Sequence, residues 1–361
     1  MQDSQVVGIS LWESPWFDQP EERAKIREAV RKAAEGEFVR FETSALAPDG
    51  ARMVLDFSMK PLWGEFNNIY LLILEGRDLT DYRRTEEALR ETLTAKERIE
   101  SELRIAHDIQ MEIIPRTFPP FPDRSEFDIY AVLESAKEVG GDLYDFFFIG
   151  EHHLCFVIGD VSDKGVPAAL FMSAAKTLIK AIATQMFLGQ RERAQAIPST
   201  DAILGAVNYE LSVENSSCMF VTVFCGILDV RTGEVCYTNA GHNPPLLLRQ
   251  EGDVTFLDEQ KCSLIGVDED ASFSQAMFTL YQGDTLFMYT DGITEAMNSR
   301  RELFSEERLQ QEVSLCQERS AEALVQTILT SVRAFAGDTP QSDDMTMLVL
   351  TYLHPTPGET T

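Results

Sequence analysis

Four aspartates stand at the ends of hydrophobic runs: Asp142 in VGGDLYDFFF, Asp160 in LCFVIGDVSDKG, Asp291 in TLFMYTDGITEA and Asp343 in SDDMTMLVLTYL. Each run reads as a buried strand, with Asp160 and Asp291 closing theirs and Asp142 and Asp343 opening theirs. The first two runs form a hairpin turning near Gly150-Glu151-His152, and counting outward from that turn sets Asp142 nearly opposite Asp160. If the other two strands run antiparallel to their neighbours, all four carboxylates converge on one rim of a sheet. Carboxylates gathered in this way repel unless they are protonated or hold cations. An all-oxygen donor set suits magnesium or manganese, not zinc. Asp344 adjoins Asp343, and spacing alone leaves open which of the two points inward.

The runs that must position these groups, FFFI, LCFVIG, FVTVFCGIL, TLFMYT and MTMLVL, are apolar on both faces, so both faces of their sheets must be covered. FVTVFCGILDVRTGEVCYTNA reads as an antiparallel hairpin turning at Arg231-Thr232-Gly233-Glu234. Helices are expected at PAALFMSAAKTLIKAIATQ, with Pro167 in its first turn, at TDAILGAVNYELS, and at SEERLQQEVSLCQERSAEALVQTILTSVRAFA. Covered strands plus amphipathic helices imply an α/β (α+β) architecture of two packed sheets with helices outside.

Composition narrows the function. The 59 acidic and 31 basic residues of the 361 give a formal charge of −28, which repels nucleic-acid phosphates and anionic lipid, so neither is an expected partner. Most of that excess serves solubility. The six cysteines form no CxxC pair and lack a histidine at zinc spacing. MQDSQVVGIS has no signal-peptide pattern, and Lys176 and Lys180 interrupt the longest apolar stretch. A cytoplasmic, reduced protein is expected.

Three parts follow along the chain: residues 1–80, 81–114 and 115–355. The first combines a helix at EERAKIREAVRKAAEG with the strand signals FVRFETSAL, ARMVLDFSMKPL and NNIYLLILEGRDLT. Its order and its ending, through Gly76, Asp78, Leu79 and Thr80, resemble the C-terminal half of a PAS sensor domain, shortened at its N-terminal side. No histidine precedes His107 and no cysteine precedes Cys155, so a histidine-ligated haem or a cysteinyl-flavin adduct lacks its residue there. The second part is a charged helix without glycine or proline. Ala88, Thr92, Ala95, Ile99, Glu102, Ala106, Ile109 and Ile113 fit a heptad seam, the expectation being a parallel two-stranded coil and a homodimer. His107-Asp108 sits where a histidine kinase carries its phosphoacceptor, but the asparagine-rich helix and glycine-rich loops of a kinase ATP-binding domain are missing.

VGGDLYDFF, IGDVSDKGVPAALFMS, NAGHNPP, YTDGITEA and DDMTMLVL occur in the order seen in the sporulation-stage-II-E-like, stress-sigma-regulator phosphatases, and this chain resembles that bacterial branch of the metal-dependent type-2C protein phosphatases. The resemblance covers about 240 residues, including RIAHDIQMEIIP as the helix that introduces the domain. It implies an αββα sandwich with two manganese or magnesium ions on a rim. It also implies that Asp160 bridges the metals, that Asp142, Asp291 and Asp343 are further ligands, and that the carbonyl of Val161 is a backbone ligand. Asp344 stays beside Asp343 as the alternative. Two such ions roughly 3.5–4 Å apart make a shared water acidic enough to attack phosphorus near neutral pH, so no serine or cysteine nucleophile is needed.

The implied substrate is a phosphorylated STAS-type anti-sigma-factor antagonist, and the N-terminal sensor would regulate its hydrolysis through the helix. His242 reads either as a general acid or, better, as a turn stabiliser. Asp145 reads as structural, Lys164 as a loop lysine, and family sequences often carry Gly where this chain has Asp163. The arginine with which eukaryotic type-2C enzymes hold phosphate has no clear counterpart. The rival readings are a non-catalytic PAS-coil scaffold and a phosphatase of small phosphomonoesters.

Overall fold

Apolar runs and turn residues resolve into thirteen strands and seven α-helices among the residues that the computed structural model describes, 7–190, 199–213, 215–258, 262–316 and 320–354. Outside that set lie the first six residues of MQDSQVVGIS, the expected limits at 1 and 355, and residues 317–319 of the last helical run. Two compact units divide the chain, Met1–Glu100 and Ser101–Thr361.

In the first unit, α1 (Pro20–Ala34) precedes a sheet of order β1-β2-β3, formed by Val39–Leu46, Arg52–Trp63 and Ile69–Asp78. Proline in the first turn suits α1, because an N-terminal N–H has no helical acceptor. Ile26, Ala29 and Ala33 pack with Phe17, Ala45, Phe57 and Met59 as its core. The junction after β3 explains the Asp-Leu-Thr ending: Asp78 Oδ1 accepts from the Thr80 N–H at 2.8 Å, and the Val54 N–H donates to Thr80 Oγ1 at 3.0 Å. Helix α2 (Thr80–Ile113) starts there and continues unbroken into the second unit. Its apolar side chains Leu89, Leu93, Ile99, Ile105 and Ile109 are exposed. Gln110, Met111 and Ile114 are buried.

The second unit holds two five-stranded sheets. One has the order β10-β9-β12-β13-β4, with β4 Phe127–Glu134, β9 Leu246–Leu248, β10 Val254–Phe256, β12 Thr285–Tyr289 and β13 Met345–Tyr352. The other has the order β11-β8-β7-β6-β5, with β5 Leu143–Ile149, β6 His153–Val161, β7 Val221–Asp229, β8 Glu234–Ala240 and β11 Ala276–Thr279. Side chains of both sheets share one core: Leu143, Phe156, Phe224 and Tyr237 from the second meet Leu286, Met288, Leu348 and Leu350 from the first. Helices α3 (Val166–Gln190) and α4 (Thr200–Ser212) pack on the β5–β8 sheet. Helices α6 (Glu306–Leu315) and α7 (Ala321–Ala336) lie on the other outer face, where Leu309, Val313, Val325 and Ile328 meet Phe287, Tyr289 and Val349. This is the αββα sandwich.

Three expectations change. The last helical run divides into α6 and α7. Strands β4, β9, β10 and β11 add to those expected; β4 lies at a sheet edge and alternates in burial, unlike the doubly covered centre. Helix Val166–Gly189 is, by length and composition, apolar enough to cross a membrane, despite its two lysines. Its residues Ala168, Met172, Ala175, Ile179 and Ala183 recur at helical spacing and are buried in the sandwich core. Lys176 Nζ lies 2.7 Å from Asp145 Oδ2, and both groups are buried.

Candidate metal centre

The hairpin register pairs Leu143 with Gly159, so Asp142 and Asp160 face one another one step further out. Asp160 also lies opposite Thr222 of β7, and Val161 ends the strand against Val221. The other two acids belong to the other sheet. Tyr289 pairs with Met347 in the β12–β13 ladder; Asp291 follows that end of β12 as the first residue of the short turn α5 (Asp291–Thr294), and Asp343 precedes β13. The expected single-sheet rim is therefore a rim between two sheets, and Asp291 opens a helical turn two residues past its strand. Sheet packing brings the two pairs together: the charges of Asp291 and Asp343 act on Asp160 across the two sheets.

Burial and mutual repulsion dominate the electrostatics. Asp142 is held well above the usual carboxylate range, first by burial and then by the charges of Asp160 and Asp344. Burial and the neighbouring Asp291 push Asp160 up to about 7, although it is within hydrogen-bonding reach of Asp142. Burial and Asp343 push Asp291 up to about 6. Such shifts mark a cluster whose negative charge lacks enough protein cations to offset it. Among the described residues Lys164 is the cation present: its Nζ lies 2.7 Å from Asp343 Oδ2 and donates to the Ser342 carbonyl at 2.6 Å.

The neighbouring acids Asp343 and Asp344 separate by their partners. Asp344 is buried, and its Oδ1 and Oδ2 accept the Ala136 and Gly141 N–H groups, each at 2.8 Å. It ties loops together. Asp343 keeps its carboxylate partly exposed, facing Lys164. Among the described residues, no three aspartate, glutamate, histidine or cysteine side chains meet closely enough to ligate one ion in this conformation. The donor chemistry nevertheless fits: the repelling carboxylates are all-oxygen, and an ammonium rests on one of them where positive charge is needed.

Several groups at the site were not singled out from the sequence. Thr290 and Thr346 both donate to Asp142 Oδ2, Thr290 at 2.7 Å, and fix that carboxylate's orientation. Both occur inside the quoted motifs, and a buried hydroxyl at the end of an apolar strand is a visible signal. Thr222 Oγ1 lies 2.9 Å from His242 Nδ1. His242 is buried, and burial pushes its pKa down to about 4, against the raising effect of the Tyr289 backbone. The Asn239 side chain closes its turn, accepting the His242 N–H at 2.7 Å and donating to its carbonyl at 3.1 Å. A neutral imidazole fixed in a turn fits the stabilising role. Asp145, paired with Lys176, takes no place at the rim.

Comparison with known proteins gives the family and the fold. The model of the family described as stage II sporulation protein E (SpoIIE) matches residues 150–353. Protein IcfG of Synechocystis is 28% identical over 265 residues, which is 69% of this chain and 41% of that protein. The phosphoserine phosphatase RsbU of Bacillus subtilis is 28% identical over 260 residues, 71% of each chain. The chain thus spans less than half the length of one of these relatives and about seven-tenths of the other. The solved SiaA-PP2C domain of Pseudomonas aeruginosa superposes with a TM-score of 0.61 at 20% identity, covering 72% of this chain and 98% of that one, a likeness of fold.

Proposed function

This chain belongs to the stage II sporulation protein E family, and from that premise we propose that it is a metal-dependent protein-serine/threonine phosphatase. The observation that carries the reading is the set of buried, mutually repelling carboxylates between two sheets, whose only close ammonium among the described residues is that of Lys164 at Asp343. Asp142, Asp160, Asp291, Asp343 and the Val161 carbonyl would hold two manganese or magnesium ions. Ions held there supply Lewis acidity, which makes a water nucleophilic near neutral pH and offsets charge on the phosphoryl oxygens.

The chain's own contribution is positioning. The Thr290 and Thr346 hydroxyls fix Asp142, and Asp344 fixes the Gly141 backbone beside it. Lys164 balances the charge of Asp343, one of the residues that would hold the ions. The rim acids orient water and substrate and form no covalent link to phosphorus.

The substrate we propose is a phosphorylated STAS-type regulatory protein. RsbU is named a phosphoserine phosphatase, which supports the chemistry. Residues 1–80 act as a PAS-like sensor, residues 81–114, which include most of α2, as the connection, and residues 115–355 as the phosphatase. The exposed Leu89, Leu93, Ile99 and Ile109 of α2 would pair with a second copy, giving a cytoplasmic homodimer.

Hydrolysis of p-nitrophenyl phosphate with manganese, magnesium or chelator tests the centre. Phosphoprotein compared with free phosphoserine tests the substrate class. Metal-dependent turnover that prefers the phosphoprotein is the expected result. A protein that binds no metal and hydrolyses neither compound sinks the reading in favour of a scaffold.

A further inference from the structure

One buried side chain of α2 holds both backbone groups of a single glycine beside the rim. Gln110 Nε2 donates to the Gly140 carbonyl at 2.6 Å, and Gln110 Oε1 accepts the Gly140 N–H at 3.1 Å. One helical turn earlier, His107 Nδ1 lies 2.6 Å from the Glu138 carbonyl. The segment approaching Asp142 therefore docks on one face of the helix. Its other sides are equally confined. A Cβ on Gly140 would stand 2.2 Å from Asp344 Oδ2, and one on Gly141 would stand 2.9 Å from the Val161 carbonyl. The Gly141 N–H is itself held by Asp344. Bare backbone thus runs through a slot walled by Gln110, Asp344 and Val161, and the next residue is Asp142.

We infer that Gln110 is a positioning residue for the metal centre, and this inference rests on the metal-dependent reading above. By fixing Gly140, it sets where the Asp142 carboxylate stands and how closely Gly141 approaches the Val161 carbonyl. Its place on α2 gives this a consequence. The helix begins at Thr80, within the first unit, and reaches Gln110 thirty residues later without a break. An axial shift of one residue, about 1.5 Å, is enough to break a two-point hydrogen-bonded clasp. Displacement of α2 is then felt at two metal-ligand positions.

The test uses the full chain and manganese alone. Calorimetric titration of wild type, Gln110→Met and Asp160→Asn is paired with amide exchange over residues 138–142 in metal-free protein. Gln110→Met keeps the side-chain length and removes both hydrogen bonds. The expected results are manganese affinity weakened about 10-fold or more, faster exchange at Gly140 and Gly141, and kcat restored toward wild type at saturating manganese. A merely structural role would lower the melting temperature and leave the affinity of the folded protein unchanged, which overturns the inference while the metal-dependent reading stands. Wild type that binds no manganese overturns both. Should Gln110→Met fail to fold, Gln110→Asn, which keeps the amide on a shorter stem, is read in the same assays against the same outcomes.

Discussion

Asp142 and Asp145 lie three residues apart on one hairpin arm and are buried to the same degree, yet their surroundings differ in one respect. Asp145 has the buried Lys176 ammonium at 2.7 Å, with Lys180 at 3.9 Å. Asp142 has two threonine hydroxyls and the charges of Asp160 and Asp344. Removing a carboxylate from water costs several kcal/mol, and each site must offset that cost. Lys176 does so within the chain, so the Asp145 site is complete. The rim is incomplete in charge, and under the proposed function a divalent ion would complete it. Burial therefore does not distinguish a structural acid from a functional one; the source of the compensating charge does.

The sharpest way to break this comparison is to remove one carboxylate from each region. Asp160→Asn takes a repelling charge from the rim. It should lower metal-dependent phosphatase activity by at least about 100-fold, since even residues that only support metal ligands cost 10–100-fold. Urea unfolding of the metal-free protein should show no loss of stability and a modest gain. Destabilisation of the metal-free variant would mean that Asp160 has a structural partner and that the contrast is wrong. Asp145→Ala should behave in the opposite way. It strands a buried ammonium and should cost about 3–5 kcal/mol in unfolding free energy, while kcat per folded molecule stays near wild type. Replacing the pair together, Asp145→Leu with Lys176→Met, should recover most of that loss, because both charges then leave the interior.

These contrasts also show what was legible beforehand. The hairpin turn at Gly150 and the doubly apolar strands were readable because periodicity and turn chemistry are local, and the same count brought Asp142 opposite Asp160. That Asp291 and Asp343 approach from a second sheet was not readable, since which sheet faces which depends on packing across more than a hundred residues. Strands β9, β10 and β11, of three or four residues, are too short to carry a period. Asp343 and Asp344 are chemically alike in sequence, and only the backbone donors Ala136 and Gly141, some two hundred residues earlier, separate them. Gln110 looks like any polar residue of a charged helix until Gly140 is seen against it.

A smaller effect concerns His242, a buried titratable group near the rim that escapes the charge problem by remaining neutral. Its folded pKa, pushed down to about 4, lies below the ordinary histidine value near 6.5. The folded protein then binds fewer protons than the unfolded chain between those values. The stability this contributes is fully present above pH 6.5 and is lost as pH falls toward 4. Unfolding free energy attributable to His242 should be about 2 kcal/mol lower at pH 5 than at pH 8. Comparing wild type with His242→Gln in chelator at both pH values isolates this from the rim carboxylates, which remain in both proteins. An identical pH dependence in the two proteins would show that His242 is not buried neutral and would reopen its role as an acid.

The smallest effect tests the loop that follows Asp160. Asp163 has φ of +75°, the left-handed region, which accounts for the glycine that resembling sequences carry there. For a residue with a Cβ that conformation costs roughly 1–2 kcal/mol. Here Asp163 regains part of the cost through its Oδ1, which accepts the Lys164 N–H at 2.8 Å. Glycine removes the steric term, but it gives up this hydrogen bond and adds about 0.5–1 kcal/mol of unfolded-state freedom. The terms nearly cancel, so Asp163→Gly should change unfolding free energy by less than about 1 kcal/mol. Asp163→Val, with no such hydrogen bond and a branched Cβ, should lose more than glycine does. Because Asp163 adds negative charge beside Lys164 without joining the rim, manganese affinity should change less in Asp163→Gly than in Asp160→Asn. A larger change would move Asp163 from the self-contained region of the molecule into the one that depends on metal.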